Sequence, residues 1–328
     1  MKKFVFYTLL LAFVAAFSFT GCKYDDECDC SDAEPLAYET LTTYLKSVDM
    51  DLDKVLTNAA GQKFVMAAPA DGNLSGKYII DIRSAEAFAS GHIEGAHNVA
   101  FTNILTEANN ADKPILVVCF TGQTACYATS LLRLYGFEDA QALKWGMSGW
   151  NPNFDSWTAN CKDLTTSSNW TTSSATPGVF DAPEWTSTST NGADILKERV
   201  EAVVAAGFKT AKNTDVLDNS SDYYVNNFFS EAHYTGFGHV AGAYRISPLL
   251  IDNCINLDPS GKIVTYCYTG QTSAVITAYL NVLGFDAYSL TFGINGMSTS
   301  NPFWTAGDGV TNHWGFDSKA KDLPVVTN

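Results

Sequence analysis

Six residues occur twice in the same setting, and they restrict the fold more than anything else in the chain. Cys119-Phe120-Thr121-Gly122-Gln123-Thr124 follows the apolar run 115–118, and Cys267-Tyr268-Thr269-Gly270-Gln271-Thr272 follows 263–266. Each run reads as a short buried strand, and each loop leads into a helical stretch, 125–135 and 273–283. A cysteine at such a junction lies among unpaired backbone N–H groups at the positive end of a helix dipole. That setting is expected to lower the thiol pKa. It would hold a thiolate, or an anion made from it, without a lysine or arginine nearby.

The repeat extends beyond the loops. Gly91-His92-Ile93-Glu94-Gly95-Ala96 is matched by Gly238-His239-Val240-Ala241-Gly242-Ala243, and Gly136-Phe137 by Gly284-Phe285. His92 to Cys119 spans 27 residues and His239 to Cys267 spans 28; Cys119 to Gly146 is 27 and Cys267 to Gly293 is 26. The exits agree as well, Asn151-Pro152 against Asn301-Pro302. Agreement at this many points marks a duplicated domain. Strands at 64–68, 78–83 and 140–143 alternate with helical stretches, the first opened by a capping Ser84. In the second copy Ile195, Val200, Val203 and Val204 mark a helix, and 215–218 reads as a strand. Such alternation implies a parallel sheet covered on both faces, with reactive groups at the carboxyl ends of its strands. The fold class is α/β, twice.

A length of 328 residues suits two domains, and a hydrophobic content of 46% is that of a globular chain. The formal charge is −15; without Lys2 and Lys3 the 20 basic residues become 18 against 35 acidic ones, near −17. This argues against nucleic acid as a partner and against electrostatic docking on anionic lipid. An anionic substrate must then be captured by local dipoles. The first residues carry an address: a basic Met1-Lys2-Lys3, an apolar stretch 4–19, then Phe19-Thr20-Gly21-Cys22, which resembles a lipobox. The expected organisation is a signal peptide (1–21), an acidic tether (22–35) lipidated at Cys22, a first domain (36–158), a linker (159–190) and a second domain (191–328). The linker falls in residues 156–190, where 16 of 35 are Ser or Thr. An extracytoplasmic protein, held at a bacterial membrane only through its lipid anchor, is the expectation. Seven further cysteines form an odd set, which points to at least one free thiol. Cys28 and Cys30 alone make a weak metal motif, and no metal site is assigned. Cys161 and Cys254 are either disulfide partners or buried thiols.

The order of elements resembles the rhodanese family of sulfurtransferases over nearly the whole mature chain. Asp81-x-Arg83, Glu86-Ala87-Phe88 and Gly91-His92-Ile93-x-Gly95-Ala96-x-Asn98 resemble its first signature. Cys119 to Thr124 resembles its six-residue active loop, and residues 122–126 are similar to the thiosulfate and mercaptopyruvate branches. Gly146 to Trp150 resembles the closing signature. The resemblance implies two domains, each a five-stranded parallel sheet flanked by helices, and a monomer that needs no cofactor. It also implies a two-step transfer. The Cys119 or Cys267 thiolate takes a sulfane sulfur from a small donor and becomes a persulfide, which a thiol or cyanide then unloads. Asp81 and Arg83 would brace the loop as an ion pair, and His92 and His239 would be structural. Trp145, Trp150 and Phe292 would rim the pocket. Copy two departs from the pattern: Asp218-Asn219-Ser220 occupies the Asp-x-Arg place, with roughly ten residues inserted before His239. Both copies keep the cysteine, and neither loop contains a basic residue. Copy one is therefore expected to be the more active.

Two other classes compete. Phosphatases and arsenate reductases also place a cysteine loop at a helix N-terminus, but they clamp a tetrahedral dianion with an arginine where this chain has Thr124 or Thr272. A catalytically weak surface lipoprotein that binds polysulfide or a partner is the alternative. Cys126, two turns along the helix after Cys119, is either a packing residue or a resolving thiol.

Overall fold

The computed structural model describes residues 36–305, 311–315 and 318–327. The signal sequence, Cys22, Cys28 and Cys30 lie outside the described residues. In the first half the strands are β1 (Val65–Met66), β2 (Tyr78–Asp81), β3 (His97–Asn98), β4 (Ile115–Val118) and β5 (Gln141–Leu143), in spatial order β1-β5-β4-β2-β3 with every pair parallel. All four residues of β4 are buried, as a central strand covered on both faces requires. Helices α1 (Ala37–Ser47), α2 (Leu52–Leu56), α3 (Ala85–Ala89), α4 (Ile104–Ala108), α5 (Gln123–Leu134) and α6 (Gly146–Trp150) complete this half. Ser84 caps α3 as its position suggested, its Oγ accepting from the Ala87 N–H at 3.3 Å.

The strands that follow are β6 (Trp170–Thr171), β7 (Thr210–Ala211), β8 (Tyr223–Asn227), β9 (His239–Val240), β10 (Lys262–Tyr266) and β11 (Ala287–Leu290), with helices α7 (Gly192–Ala206), α8 (Asn213–Asp218), α9 (Glu231–Phe237) and α10 (Gln271–Leu283). The second parallel sheet runs β7-β11-β10-β8. Among the described residues it has four strands where five were expected; a parallel bridge from Asn226 to Tyr244 stands in the fifth place. Residues 215–218 are not a strand but part of α8, and this moves the place that corresponds to the first signature in the second half. Tyr266, just before Cys267, pairs with Asn227, as Val118 pairs with Asp81. The Phe228 N–H bonds the Tyr266 carbonyl at 2.9 Å, as the Ile82 N–H bonds the Val118 carbonyl at 3.0 Å. Asn227 and Phe229 therefore replace Asp81 and Arg83. Asn227 lies 12 residues before His239, so the ten-residue insertion does not exist. The polar run Tyr-Tyr-Val-Asn-Asn hid a strand whose two asparagines are fully buried.

Two features tie the halves together. Helices α5 and α10 are buried on nearly every side, as helices at the centre of a fold are. Their contact carries a Ser130 Oγ–Val275 carbonyl bond at 3.1 Å and an Asn281 Nδ2–Tyr127 hydroxyl bond at 3.2 Å. One continuous apolar cluster runs from Leu41 and Leu131 to Leu280 and Phe285. The chain also crosses back at its far end. Val326 and His92 exchange two backbone hydrogen bonds at 2.9 and 3.0 Å, and Leu323 packs on Trp150. The segment 321–326 thus packs on the first half. The Ser/Thr-rich stretch is anchored too: β6 pairs with β9, and the Trp185 Nε1–H bonds the Leu283 carbonyl at 3.0 Å.

Candidate active site

Both cysteines sit where a strand ends and a helix begins. α5 and α10 have no serine, threonine or aspartate cap; a glycine in the left-handed region occupies each N-cap, Gly122 at φ +83° and Gly270 at φ +74°. The cap function falls to sulfur. Cys119 Sγ accepts from the Ala125 N–H at 3.3 Å and from the Gly122 N–H at 3.1 Å. Cys267 Sγ accepts from the Ser273 N–H at 3.4 Å and donates to Ser273 Oγ at 3.8 Å. An otherwise orphaned amide of each first turn, Ala125 or Ser273, thus finds its acceptor in a thiol.

Each loop rests on a second turn from across the sheet. The Met147 N–H bonds the Cys119 carbonyl at 2.9 Å, and the Ser148 N–H and Oγ bond the Phe120 carbonyl at 2.9 and 2.8 Å. In the other half the Ile294 N–H bonds the Cys267 carbonyl at 3.0 Å, while Asn295 donates to the Tyr268 carbonyl from its N–H at 3.2 Å and its Nδ2 at 2.7 Å. This approach is closed to any side chain at Gly146 (φ +59°) or Gly293 (φ +51°). A Cβ there would overlap the cysteine carbonyl and stand 2.7 Å from the Gly122 nitrogen or 2.9 Å from the Gly270 nitrogen.

Surroundings diverge. Asp81 and Arg83 form the expected ion pair, fully buried, with Nε at 3.0 Å and Nη2 at 2.6 Å from the carboxylate. Nη2 also bonds the Gly91 carbonyl at 2.9 Å, while Nη1 is buried with no partner among the described residues. The guanidinium lies 5.3 Å from the Phe120 ring and 5.4 Å from that of Phe154, so it borders the first loop. Around the second loop Phe229 stacks on Tyr268 at 4.5 Å, and His233 Nδ1 is hydrogen-bonded to the Tyr268 hydroxyl. Phe237, Phe303 and Trp304 complete this aromatic wall.

Cys119 is 5% exposed and Cys267 2%, whereas Phe120 is 39% exposed. Burial pushes the Cys119 thiol above its ordinary value; backbone N–H groups of Ala125, Thr121 and Gly122 pull it down, and Asp81 adds to the rise. The expected net lowering is therefore corrected: the amides are in place, but desolvation outweighs them. Cys126 is fully buried and its thiol is pushed well up, first by burial and then by Cys119 and Cys267. Cys161 and Cys254 are free thiols, Cys254 buried. His92 and His239 are structural as expected: Nδ1 of each contacts a carbonyl, of Phe88 or Tyr234, at 3.0 Å, and each ring stacks on the side chain of that residue. Trp145 and Phe292 do border the loops, in a cluster with Trp157 and Trp314. Trp150 does not; it is buried with Leu323, its Nε1–H on the Pro324 carbonyl at 2.8 Å. Ser148 lies within the closing signature, whereas Trp157, His233 and Ser273 border the loops without having been singled out by a motif. Ser273 alone had a readable signal, being the polar counterpart of Ala125.

A family model for the rhodanese-like domain matches residues 65–153. A thiosulfate sulfurtransferase GlpE of Pseudomonas putida is 35% identical over 86 residues, which cover 26% of this chain and 78% of that protein. The chain belongs to the rhodanese family. A second relative, the thiosulfate sulfurtransferase GlpE of Shewanella oneidensis, is 37% identical over 75 residues, 22% of this chain and 74% of the relative. Among solved structures, the 3-mercaptopyruvate sulfurtransferase from Leishmania major shares 15% identity over 68% of this chain and 70% of its own, with a TM-score of 0.26.

Proposed function

We propose that this rhodanese moves sulfane sulfur from a small donor to a thiol or cyanide acceptor through a persulfide on Cys119, with Cys267 as a second carrier. The observation that carries this reading is the capping of α5 by Cys119 Sγ with two backbone N–H groups. In the first step the thiolate attacks the outer sulfur of the donor. A new S–S bond forms, the donor's own bond to that sulfur breaks, and the electron pair leaves with the donor residue. In the second step the acceptor attacks the outer sulfur of the persulfide, and the cysteine leaves as thiolate. The amides that face Sγ supply donors to the anion in both states, and they need no reorganisation during transfer. Loop shape therefore matters as much as the nucleophile.

The test is direct. The protein is incubated with thiosulfate, 3-mercaptopyruvate or polysulfide, its intact mass is read for one added sulfur atom, and cyanide or a thiol is then added. Loading that falls in Cys119→Ser, disappears in the double serine variant and is reversed by the acceptor is the expected result. Sulfur that never loads, or loads equally in the double serine variant, sinks the reading. Binding without turnover is the second reading. The near-complete burial of Cys267 behind aromatic side chains favours it for that loop. A lipid anchor at Cys22, outside the cytoplasm, remains part of the proposal on the sequence pattern alone, and mass analysis of the mature N-terminus tests it.

A further inference from the structure

The two loops are fastened to each other by their glutamines. Gln123 Oε1 accepts from the Phe292 N–H at 2.8 Å, in the turn that supports the second loop. Gln271 Nε2 donates to the Thr121 carbonyl at 3.0 Å, inside the first loop. Both glutamines are buried, and each occupies the space that a Cβ would take on the other loop's glycine: Gln271 at Gly122, Gln123 at Gly270.

The Thr121–Gly122 peptide makes the first of these contacts more than packing. Its N–H is the Gly122 donor that reaches Cys119 Sγ at 3.1 Å. In a trans peptide the carbonyl and the N–H point in opposite directions. Whatever holds the Thr121 oxygen away from the sulfur therefore aims the Gly122 N–H at it. Glycine at 122 leaves the opposite orientation sterically open, so the plane has to be held from outside. Two donors hold it, Gln271 Nε2 and, at 3.2 Å, Trp157 Nε1. Hydrogen bonds on that carbonyl also polarise the peptide and strengthen its N–H as a donor. We infer that Gln271, a residue of the second cysteine loop, is a positioning residue for the first: it orients the peptide whose N–H caps the Cys119 sulfur. The effect on sulfur transfer rests on the proposed persulfide chemistry; the effect on the thiol itself does not.

The experiment is made in the full chain with Cys267→Ser, so that a local effect of Gln271 on its own cysteine is silent. Gln271→Met keeps the length and fills the space beside Gly122 but has no N–H; Gln271→Glu keeps the shape but brings an acceptor against the Thr121 oxygen. Alkylation of Cys119 by iodoacetamide is followed against pH, with the label located by fragmentation mass spectrometry. The midpoint is expected to move up in Gln271→Met and further in Gln271→Glu, and the rate at fixed neutral pH to fall about tenfold, a fraction of what a direct donor supplies. Trp157→Phe removes the second donor from the same carbonyl and should shift the midpoint in the same direction. Folding is checked by circular dichroism. Profiles for the folded Met and Glu variants that overlay on the Cys267→Ser parent overturn the inference, since a space-filling role would leave them unmoved. Sulfur loading from thiosulfate is measured in parallel. If alkylation shifts while no variant, nor the parent, loads sulfur, the positioning role stands and the proposed function fails.

Discussion

The two cysteine loops share a backbone and differ in everything that surrounds it. In both, sulfur caps a helix through the amide three residues into its first turn, and in both a turn led by a left-handed glycine holds the loop carbonyls. The first loop faces a buried Asp81–Arg83 pair with one guanidinium nitrogen unpartnered among the described residues; the second faces Phe229 and His233, which meet its own Tyr268. Cys119 Sγ receives two amides, whereas Cys267 Sγ receives one and gives its proton to Ser273 Oγ, which is bonded in turn to Ser289 Oγ at 2.8 Å. The two loops keep one main-chain cradle and differ in their side chains. The main chain answers to the requirement of holding sulfur, while the side chains decide what approaches it.

This contrast can be broken in several ways. The largest expected effect is that Cys119→Ser lowers turnover by roughly a hundredfold or more, as loss of a nucleophile does, while Cys267→Ser leaves most of it. The reverse pattern in steady-state rates would overturn the ranking of the loops. The pH dependence comes next. Burial raises the Cys119 thiol, so its alkylation should climb roughly tenfold per pH unit through neutrality and level off only above the ordinary thiol range. The sign for stability follows. The protonated thiol is the form favoured in the fold, so its contribution is present at neutral pH and is lost as pH rises past the unfolded thiol value. A plateau in the alkylation rate below that value would contradict the dominance of burial.

Arg83→Met is expected to cost about 3–5 kcal/mol in denaturant unfolding, because it strands the buried Asp81 carboxylate. Phe229→Leu, at the matching place in the second half, should cost under about 1.5 kcal/mol; equal costs would erase the distinction between the two surroundings. Gly146→Ala and Gly293→Ala test the shared part. Each forces a Cβ onto a left-handed backbone against a carbonyl, so both should lose about 2–4 kcal/mol, and by similar amounts. A variant that loses stability at only one of them would show that the cradles are not equivalent. Ser273→Ala is the smallest, about 1 kcal/mol from a buried hydroxyl pair, with a change in Cys267 alkylation and none in Cys119.

Much of the site was legible because its determinants are local. A cysteine after an apolar strand, a glycine three residues on, and a helix pattern behind it dictate the cap geometry without reference to the rest of the chain. Gly146 and Gly293 stood at matched distances from the cysteines, and the structure shows the carbonyls they must pass. The sequence misled where polarity and burial part company. Tyr223–Asn227 is a buried strand at the end of its sheet with asparagines at 226 and 227, and a reader of hydropathy chooses 215–218 instead. Gln271 was read as a residue of its own loop, since nothing local says that its amide reaches 150 positions back along the chain. The rise of the Cys119 thiol was missed for a related reason: amides are visible in a motif, whereas desolvation belongs to the assembled core.

The return of residues 321–326 to the first half has a consequence for how the molecule is made. Leu323 and Val326 fill places beside Trp150 and His92, so the first-translated cysteine unit emerges from the ribosome without the segment that closes it. It must wait, with that apolar surface bare, until the other unit has been synthesised. Nascent chains halted shortly before residue 321 should therefore be open to protease at the earlier half, and chains in which residues 321–326 have cleared the ribosome should be shut.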